Sequence, residues 1–235
     1  MKRKIDKTET GGREAMSWPE DFMDRVVNGD CLEVMKKIPD AVIDLLLSDI
    51  PYGVVNRSSG GLRNLDKGQA DDITFDLHQF LRQIIRICKG SFYIFCSREQ
   101  ISRIYETFVR GRLPTRLGVW EKTNPSPMNG QHIWLSSIET CVFGKKSGAT
   151  FNEHCKSPVW RYHCGKSSEH PTEKPVELFQ CLIEASSNDG DVVLDPCLGS
   201  GTTAIACLRT NRRYIGIEID EGYCRLAERR ISQNI

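Results

Sequence analysis

The sequence predicts an α/β sandwich, a mostly parallel central sheet flanked by helices. Short apolar runs alternate with amphipathic stretches from Arg25 onward, a texture that implies parallel strands joined by helical crossovers. An apolar run, Val42 to Leu47 broken by Asp44, leads through Ser48 into Asp49-Ile50-Pro51-Tyr52. Near the other end, Val192-Val193-Leu194 leads through a glycine turn into a helix start, then into a second strand that closes on Glu218.

Residues 1–24 are polar, hold Gly11-Gly12 and lack an apolar period, so a flexible tail is expected there. Residues 25–235 are expected to form one domain. Val26-Val27, Leu32 to Ile38 and Val42 to Leu47 open it. Phe80, Leu81, Ile84, Ile85 and Ile87 share one helical face within 75–88, and Ser91 to Cys96 reads as a strand. A helix over 98–109 and strands near 117–120 and 138–143 follow. Pro175 to Ser187 has helical spacing, 191–194 a buried strand, 199–208 a helix, 214–217 a strand and 223–231 a closing helix. Two stretches rich in Gly, Ser, Asn and charge resist assignment, 53–74 and 145–169. Long loops inside a compact domain are commonly functional.

Composition narrows the class. Hydrophobic residues make up 39% and charged residues 27% of the chain, with 32 basic against 31 acidic side chains and a net charge of +1. This excludes collagen-like and disordered chains. Apolar runs fall far short of the roughly 20 residues a membrane span needs. Asp6 and Glu9 stand where a signal peptide would be apolar, so no membrane partner and a cytoplasmic location are expected. The ten cysteines form no C-x-x-C pair and read as free thiols of a reducing compartment. With so small a net charge, any nucleic-acid surface must be local.

In Asp195-Pro196-Cys197-Leu198-Gly199-Ser200-Gly201-Thr202-Thr203, glycines let backbone approach a ligand and the helix start offers free N–H donors. Glu218 follows Asp195 by 23 residues, where an acid can accept both hydroxyls of a ribose. The order strand, turn, helix, strand, acid points to a nucleoside-type ligand rather than to a plain turn with a surface glutamate. It does not separate a dinucleotide from S-adenosylmethionine, although a carboxylate at Asp195 would repel a pyrophosphate. In the earlier segment, Pro51 keeps Ile50 out of helical geometry. Asp49 and a backbone carbonyl can accept two N–H bonds from an amine, with Tyr52 stacking on a flat ring; the alternative is a proline turn in which Asp49 merely caps.

Together these motifs resemble the amino-methyltransferases that move a methyl group from S-adenosylmethionine to an exocyclic amine in DNA. That family's catalytic motif is usually Asp-Pro-Pro-Tyr and its cofactor turn Asp-Pro-Phe-x-Gly-Ser-Gly-Thr-Thr. Here the catalytic motif comes first, which resembles the permuted beta group. Asn28-Gly29-Asp30, Trp120 to Pro125, Glu139, His170-Pro171-Thr172-Glu173-Lys174-Pro175, and Gly216 to Asp220 with Tyr223 and Arg230 follow the same order. The resemblance covers about 25–231. It implies a Rossmann-like methyltransferase fold with circularly permuted motifs. It also implies S-adenosylmethionine as cofactor, S-adenosylhomocysteine as product, no metal, and DNA as partner.

The resemblance further implies that Asp195, Pro196, Gly199 and Gly201 shape the cofactor pocket, with Ser200, Thr202 and Thr203 near its methionine end. Glu218 would hold the ribose and Asp30 the adenine amine, while His170, Thr172 and Lys174 line the same pocket. Asp49, Ile50, Pro51 and Tyr52 would hold the target base, which must leave the duplex to be reached. Asp at the first motif position leans toward adenine N6; cytosine N4 or an RNA target is the alternative. Ile50 stands where proline is usual and restores an N–H, so a binding-only relative is a further reading; Cys197 stands where phenylalanine is usual. A nicotinamide dehydrogenase is the weakest alternative.

The target-recognition region would be 144–169. Lys145, Lys146, Lys156, Arg161 and Lys166 with Trp160 and Tyr162 form a candidate phosphate-and-base surface there, against the alternative of a solvated basic loop. Arg57 lies in the loop after the catalytic motif, which is expected to face DNA. His154-Cys155 and His163-Cys164 do not match zinc-finger spacing. A homodimer and a cognate restriction enzyme are compatible partners.

Overall fold

A computed structural model of the chain describes residues 16–52, 75–127, 130–164 and 173–234. Eight strands among them form one sheet, β1 (Arg25–Asn28), β2 (Ile43–Asp49), β3 (Cys88–Cys96), β4 (Thr115–Lys122), β5 (Ile138–Lys145), β6 (Val159–Tyr162), β7 (Val192–Asp195) and β8 (Arg213–Glu218). The helices are α1 (Cys31–Met35), α2 (Leu77–Ile87), α3 (Ile101–Arg110), α4 (Val176–Ser186), α5 (Thr202–Arg209) and α6 (Glu221–Ser232).

The strand order is β1-β8-β7-β2-β3-β5-β4-β6. Pairs from β1 to β3 are parallel, β5 runs antiparallel to both β3 and β4, and β6 pairs parallel with β4. The α/β class and the mostly parallel sheet expected from the alternation are what the fold shows. Sidedness follows from the two-residue strand period. Leu46, Phe92, Ile94, Leu194, Ile215 and Ile217 point into one core with α1, α2 and α3. Their neighbours Leu45, Leu47, Tyr93, Phe95, Val193 and Tyr214 point into the other with α4, α5 and α6. β2 is covered on both faces, which is why Leu45, Leu46 and Leu47 are apolar in succession rather than alternating with polar residues.

Three of the six described helices, α1, α2 and α6, start at an acid. Asp30, Asp76 and Asp220 accept from Glu33 N at 3.1 Å, Gln79 N at 2.8 Å and Tyr223 N at 2.9 Å. Such a cap contributes about 1 kcal/mol.

Two expectations need correction. Residues 16–24, expected within a flexible tail, instead turn back onto the sheet: Phe22 is fully buried, and Trp18 packs on it at 5.5 Å between ring centroids. Asp24 then accepts from Tyr214 N at 3.1 Å. The 145–169 stretch is not all loop, because β6 extends the sheet edge there. The loop expected over 53–74 lies outside the described residues. No helix among the described residues is long and apolar enough to cross a membrane.

Where β2 meets β3 the ladder is irregular, and Gly90 passes so close to Asp44 that a Cβ would lie 1.6 Å from its carbonyl oxygen. Only backbone movement can relieve such an overlap. Gly90→Ala is expected to lower unfolding stability by at least about 3 kcal/mol in urea titration. An unchanged midpoint would show that the two strands separate freely.

Candidate active site

The chain leaves β2 toward β3 on one side and leaves β7 toward β8 on the other. An open parallel sheet that reverses in this way has a crevice at the carboxyl ends of the two strands. Asp49 ends β2 and Asp195 ends β7, so the crevice has a carboxylate on each lip. A cavity of about 860 Å³ opens there, lined by both motif segments and by residues of β4, β5 and α4, a size suited to ligands of nucleoside scale.

On the β7 side, Asp195 is a clamp. Ser48 Oγ and Cys197 N donate to Oδ1 at 2.8 and 3.1 Å, and Thr203 Oγ1 donates to Oδ2. Three elements are thereby tied to one buried carboxyl, whose pKa burial pushes up to about 6 against the pull of those donors. The turn is left-handed at Gly199 (φ 53°) and Gly201 (φ 90°). Gly201 does not face the cavity: a Cβ there would press on Ala227 at 3.1 Å, so its bareness lets α5 start against α6. Glu218 reaches back to the turn, accepting from Gly199 N at 2.8 Å and from Asp220 N at 2.9 Å. Each carboxylate oxygen keeps a further lone pair for a ligand hydroxyl, and burial raises the Glu218 pKa. Pro196, Ser200, Thr202 and Thr203 line the same cavity. Asp30 is engaged as the cap of α1; its neighbours Gly29 and Cys31 are the lining residues.

On the β2 side lies a charge cluster built around the buried Lys174. Lys174, only 5% exposed, places its ammonium against Asp49 Oδ2 and 2.9 Å from Glu139 Oε2. Lys122 holds the other Glu139 oxygen at 2.7 Å. The Tyr52 hydroxyl lies 3.0 Å from Asp49 Oδ1 and 3.1 Å from Glu139 Oε2, sharing its proton between them. Aromatic faces of Tyr52, Phe95 and Trp120 surround the Lys174 ammonium at 5.6, 5.8 and 5.9 Å.

Burial alone would lower the Lys174 pKa, but the two carboxylates outweigh it and hold it above the ordinary lysine value. Burial also pushes both acids up. For Glu139 the paired lysines win and bring it to about 2. For Asp49 burial wins over Lys174, and its pKa is raised. Tyr52 is raised well above the ordinary value by burial and by both acids, so it stays a donor.

Lys174, expected to line the cofactor pocket, lines the shared cavity and places its ammonium in the Asp49 cluster. Glu139 was matched without a role, and Lys122 was not singled out. The signal was available, since a lone charge at the pocket end of each neighbouring strand must find a partner when the strands pair. Arg230 ties the turn to the segment before α4, donating to Ser200 O and Oγ at 2.6 Å each and to Glu173. Ile50, fully buried, uses the N–H that proline would lack, donating to Phe95 O at 3.2 Å. Pro51 lines the cavity, and its carbonyl accepts from Gln100 Nε2 at 2.9 Å.

Among the described residues of 144–164, the expected basic and aromatic surface is not brought together. Trp160 is a packing residue: it lies on Gly118, where a Cβ would come within 2.3 Å, and near the rings of Tyr93 and Phe95 at 6.3 and 6.5 Å. Lys145 pairs in register with Ser91, at the end of the sheet remote from Asp49. Lys156 is exposed and paired with Glu153, and Arg161 with Glu121 at 2.9 Å. Arg57, Lys166, His170 and Thr172 lie outside the described residues. His154 stands edge-on to Phe151 and His163 bonds Thr123, and among the described residues no three metal-ligating side chains converge.

The DNA methylase family model (N6_N4_Mtase) matches residues 43–229, from β2 through most of α6. The chain is 28% identical to the type II methyltransferase M2.DpnII of Streptococcus pneumoniae over 88% of both chains. It is 31% identical to M.HinfI of Haemophilus influenzae over 91% of this chain and 69% of that one. A crystal structure of the M1.HpyAVI–SAM complex superposes with a TM-score of 0.70 at 26% identity, covering 88% of this chain and 98% of that one. With both motif segments, the crevice between them and most of the chain inside the match, the protein belongs to the N6/N4 family of DNA methylases.

Proposed function

We propose that this DNA methyltransferase modifies the N6 amine of adenine, with Asp49 and the Ile50 carbonyl as the two acceptors that orient it. The observation that carries this reading is the half-buried Asp49 carboxylate on the lip of the crevice, lining the cavity shared with the Glu218 and Gly199 turn. The residues present suit S-adenosylmethionine: left-handed glycines open the turn, Glu218 has acceptor capacity for a ribose, and Ile219 adds an apolar rim. That cofactor supplies an activated methyl group.

An adenine amine is a weak nucleophile because its lone pair is delocalised into the ring. Two acceptors that draw its N–H bonds out of the ring plane localise that pair, so most of the acceleration is orientation and electrostatics. Asp49 Oδ2 accepts from Lys174 and still has a lone pair for the amine. A raised pKa makes Asp49 the better recipient of the proton the amine gives up. Tyr52, protonated at all working pH values, offers its ring face to the flipped base. Aspartate rather than serine at the first motif position favours adenine over cytosine.

DNA as substrate and ten thiols outside any disulfide fit the cytoplasm. The type II relatives support a cognate restriction enzyme as a partner. A homodimer would widen the contact that so short a recognition stretch allows.

Nucleoside analysis of unmethylated duplex DNA, after reaction with labelled S-adenosylmethionine, is expected to give N6-methyladenine. N4-methylcytosine as the product would transfer the assignment to cytosine.

The charge cluster sets a pH dependence. Asp49 must be ionised to accept, so transfer falls as pH drops through its raised pKa. Lys174 opposes that rise, so Lys174→Met is expected to move the acid limb of kcat/KM to higher pH, each unit costing about tenfold below the midpoint. An acid limb at the same pH in wild type and Lys174→Met would show that Lys174 does not govern the charge on Asp49.

A further inference from the structure

β4 and β5 are joined across the cavity end of the sheet by residues 123–137. Lys122 N donates to Ser137 O at 2.7 Å and closes the neck of this connection. Lys122, Ser136, Ile138 and Glu139 at the neck line the cavity that holds Asp49 and Tyr52. Among the described residues, the large apolar side chains at the tip and neck of this connection stand largely in solvent. Trp134 is 95% exposed, Ile133 68%, Ile138 54% and Leu135 41%. Among the described residues, four of the nine exposed large hydrophobics fall in these six consecutive positions.

An indole left in water beside two aliphatic neighbours marks a surface built to be covered. Its place says by what. A base reaching Asp49 must leave its stack and pass this rim, and it leaves a gap behind it. Apolar side chains inserted between base steps hold such gaps open, and an indole has the flat face that stacks there. The rim also carries charge suited to a polyanion. Arg98, with 89% of its side chain exposed and Glu99 beside it at 4.0 Å, lines the same cavity.

We propose that the 133–135 tip, led by Trp134, is a wedge that enters duplex DNA at the target pair and stacks in the space the flipped base leaves. This rests on the DNA methyltransferase reading and names the device by which its substrate is opened.

The test begins with plasmid DNA from a methylation-deficient host, on which sequencing of the wild-type product locates the modified sites. A duplex carrying one such site is then made with a fluorescent analogue at the target position, 2-aminopurine for adenine or pyrrolocytosine for cytosine. Wild type is expected to raise its fluorescence on binding. Trp134→Ala is expected to lose most of that rise and about tenfold or more in kcat/KM, with cofactor affinity unchanged, and Trp134→Phe to restore both. An equal rise and rate in Trp134→Ala would overturn the wedge while leaving the methyltransferase reading intact. Absence of methyl transfer by wild type would overturn the reading itself. A wild-type dimer that Trp134→Ala converts to monomer in sedimentation, with the fluorescence rise kept, would make a second copy the occupant and overturn the proposal.

Discussion

The reversal of strand order at the junction of the parallel strands β2 and β7 is the constraint from which the rest of the site follows. Adjacent parallel strands whose continuations leave on opposite sides cannot close their carboxyl ends with a common loop. The crevice left there is fixed by the sheet, not by mobile side chains. Ser48 on β2 donates to Asp195 on β7 at 2.8 Å, so the two lips are held in register by a buried hydrogen bond. Both cores press on this junction, through Leu46 and Leu194 on one face and Leu45 and Val193 on the other.

Placing carboxylates at such a junction is costly, because burial disfavours their charged form. The structure meets that cost differently at each one. Asp195 is satisfied by neutral donors alone, two hydroxyls and a backbone N–H. Glu218 is satisfied by backbone N–H groups of the turn it braces. Glu139 has two ammonium groups, and Asp49 shares one of them. Asp49 is therefore the member of its cluster least compensated within the fold. A group left with spare acceptor capacity in a preorganised pocket is the one placed to interact with an incoming amine.

Much of this was legible in the sequence. The apolar run ending at Asp49, the glycine turn after Asp195 and the acid at Glu218 each carry their meaning locally, and the fold puts all three around one cavity. What was not legible depended on partners distant in the chain. Phe22 and Trp18 sit in a polar stretch, and only their packing on the sheet draws residues 16–24 into the domain. Trp160 between basic residues resembles a nucleic-acid surface until Gly118 on the neighbouring strand leaves the space it fills. Lys174 sits between Pro175 and Glu173 near the cofactor motif, yet its long side chain crosses to the other lip. Ile50 departs from the usual motif, and its pairing with Phe95 shows what the restored N–H does.

The central claim is that Asp49 receives the amine while the other lip holds the cofactor. Asp49→Asn, which preserves shape and removes the charge, separates these roles. The account predicts that calorimetric affinity for S-adenosylmethionine stays within about threefold of wild type while kcat for transfer to duplex DNA falls by about a hundredfold or more. Transfer at the wild-type rate, or a loss of activity explained wholly by lost cofactor binding, would contradict it.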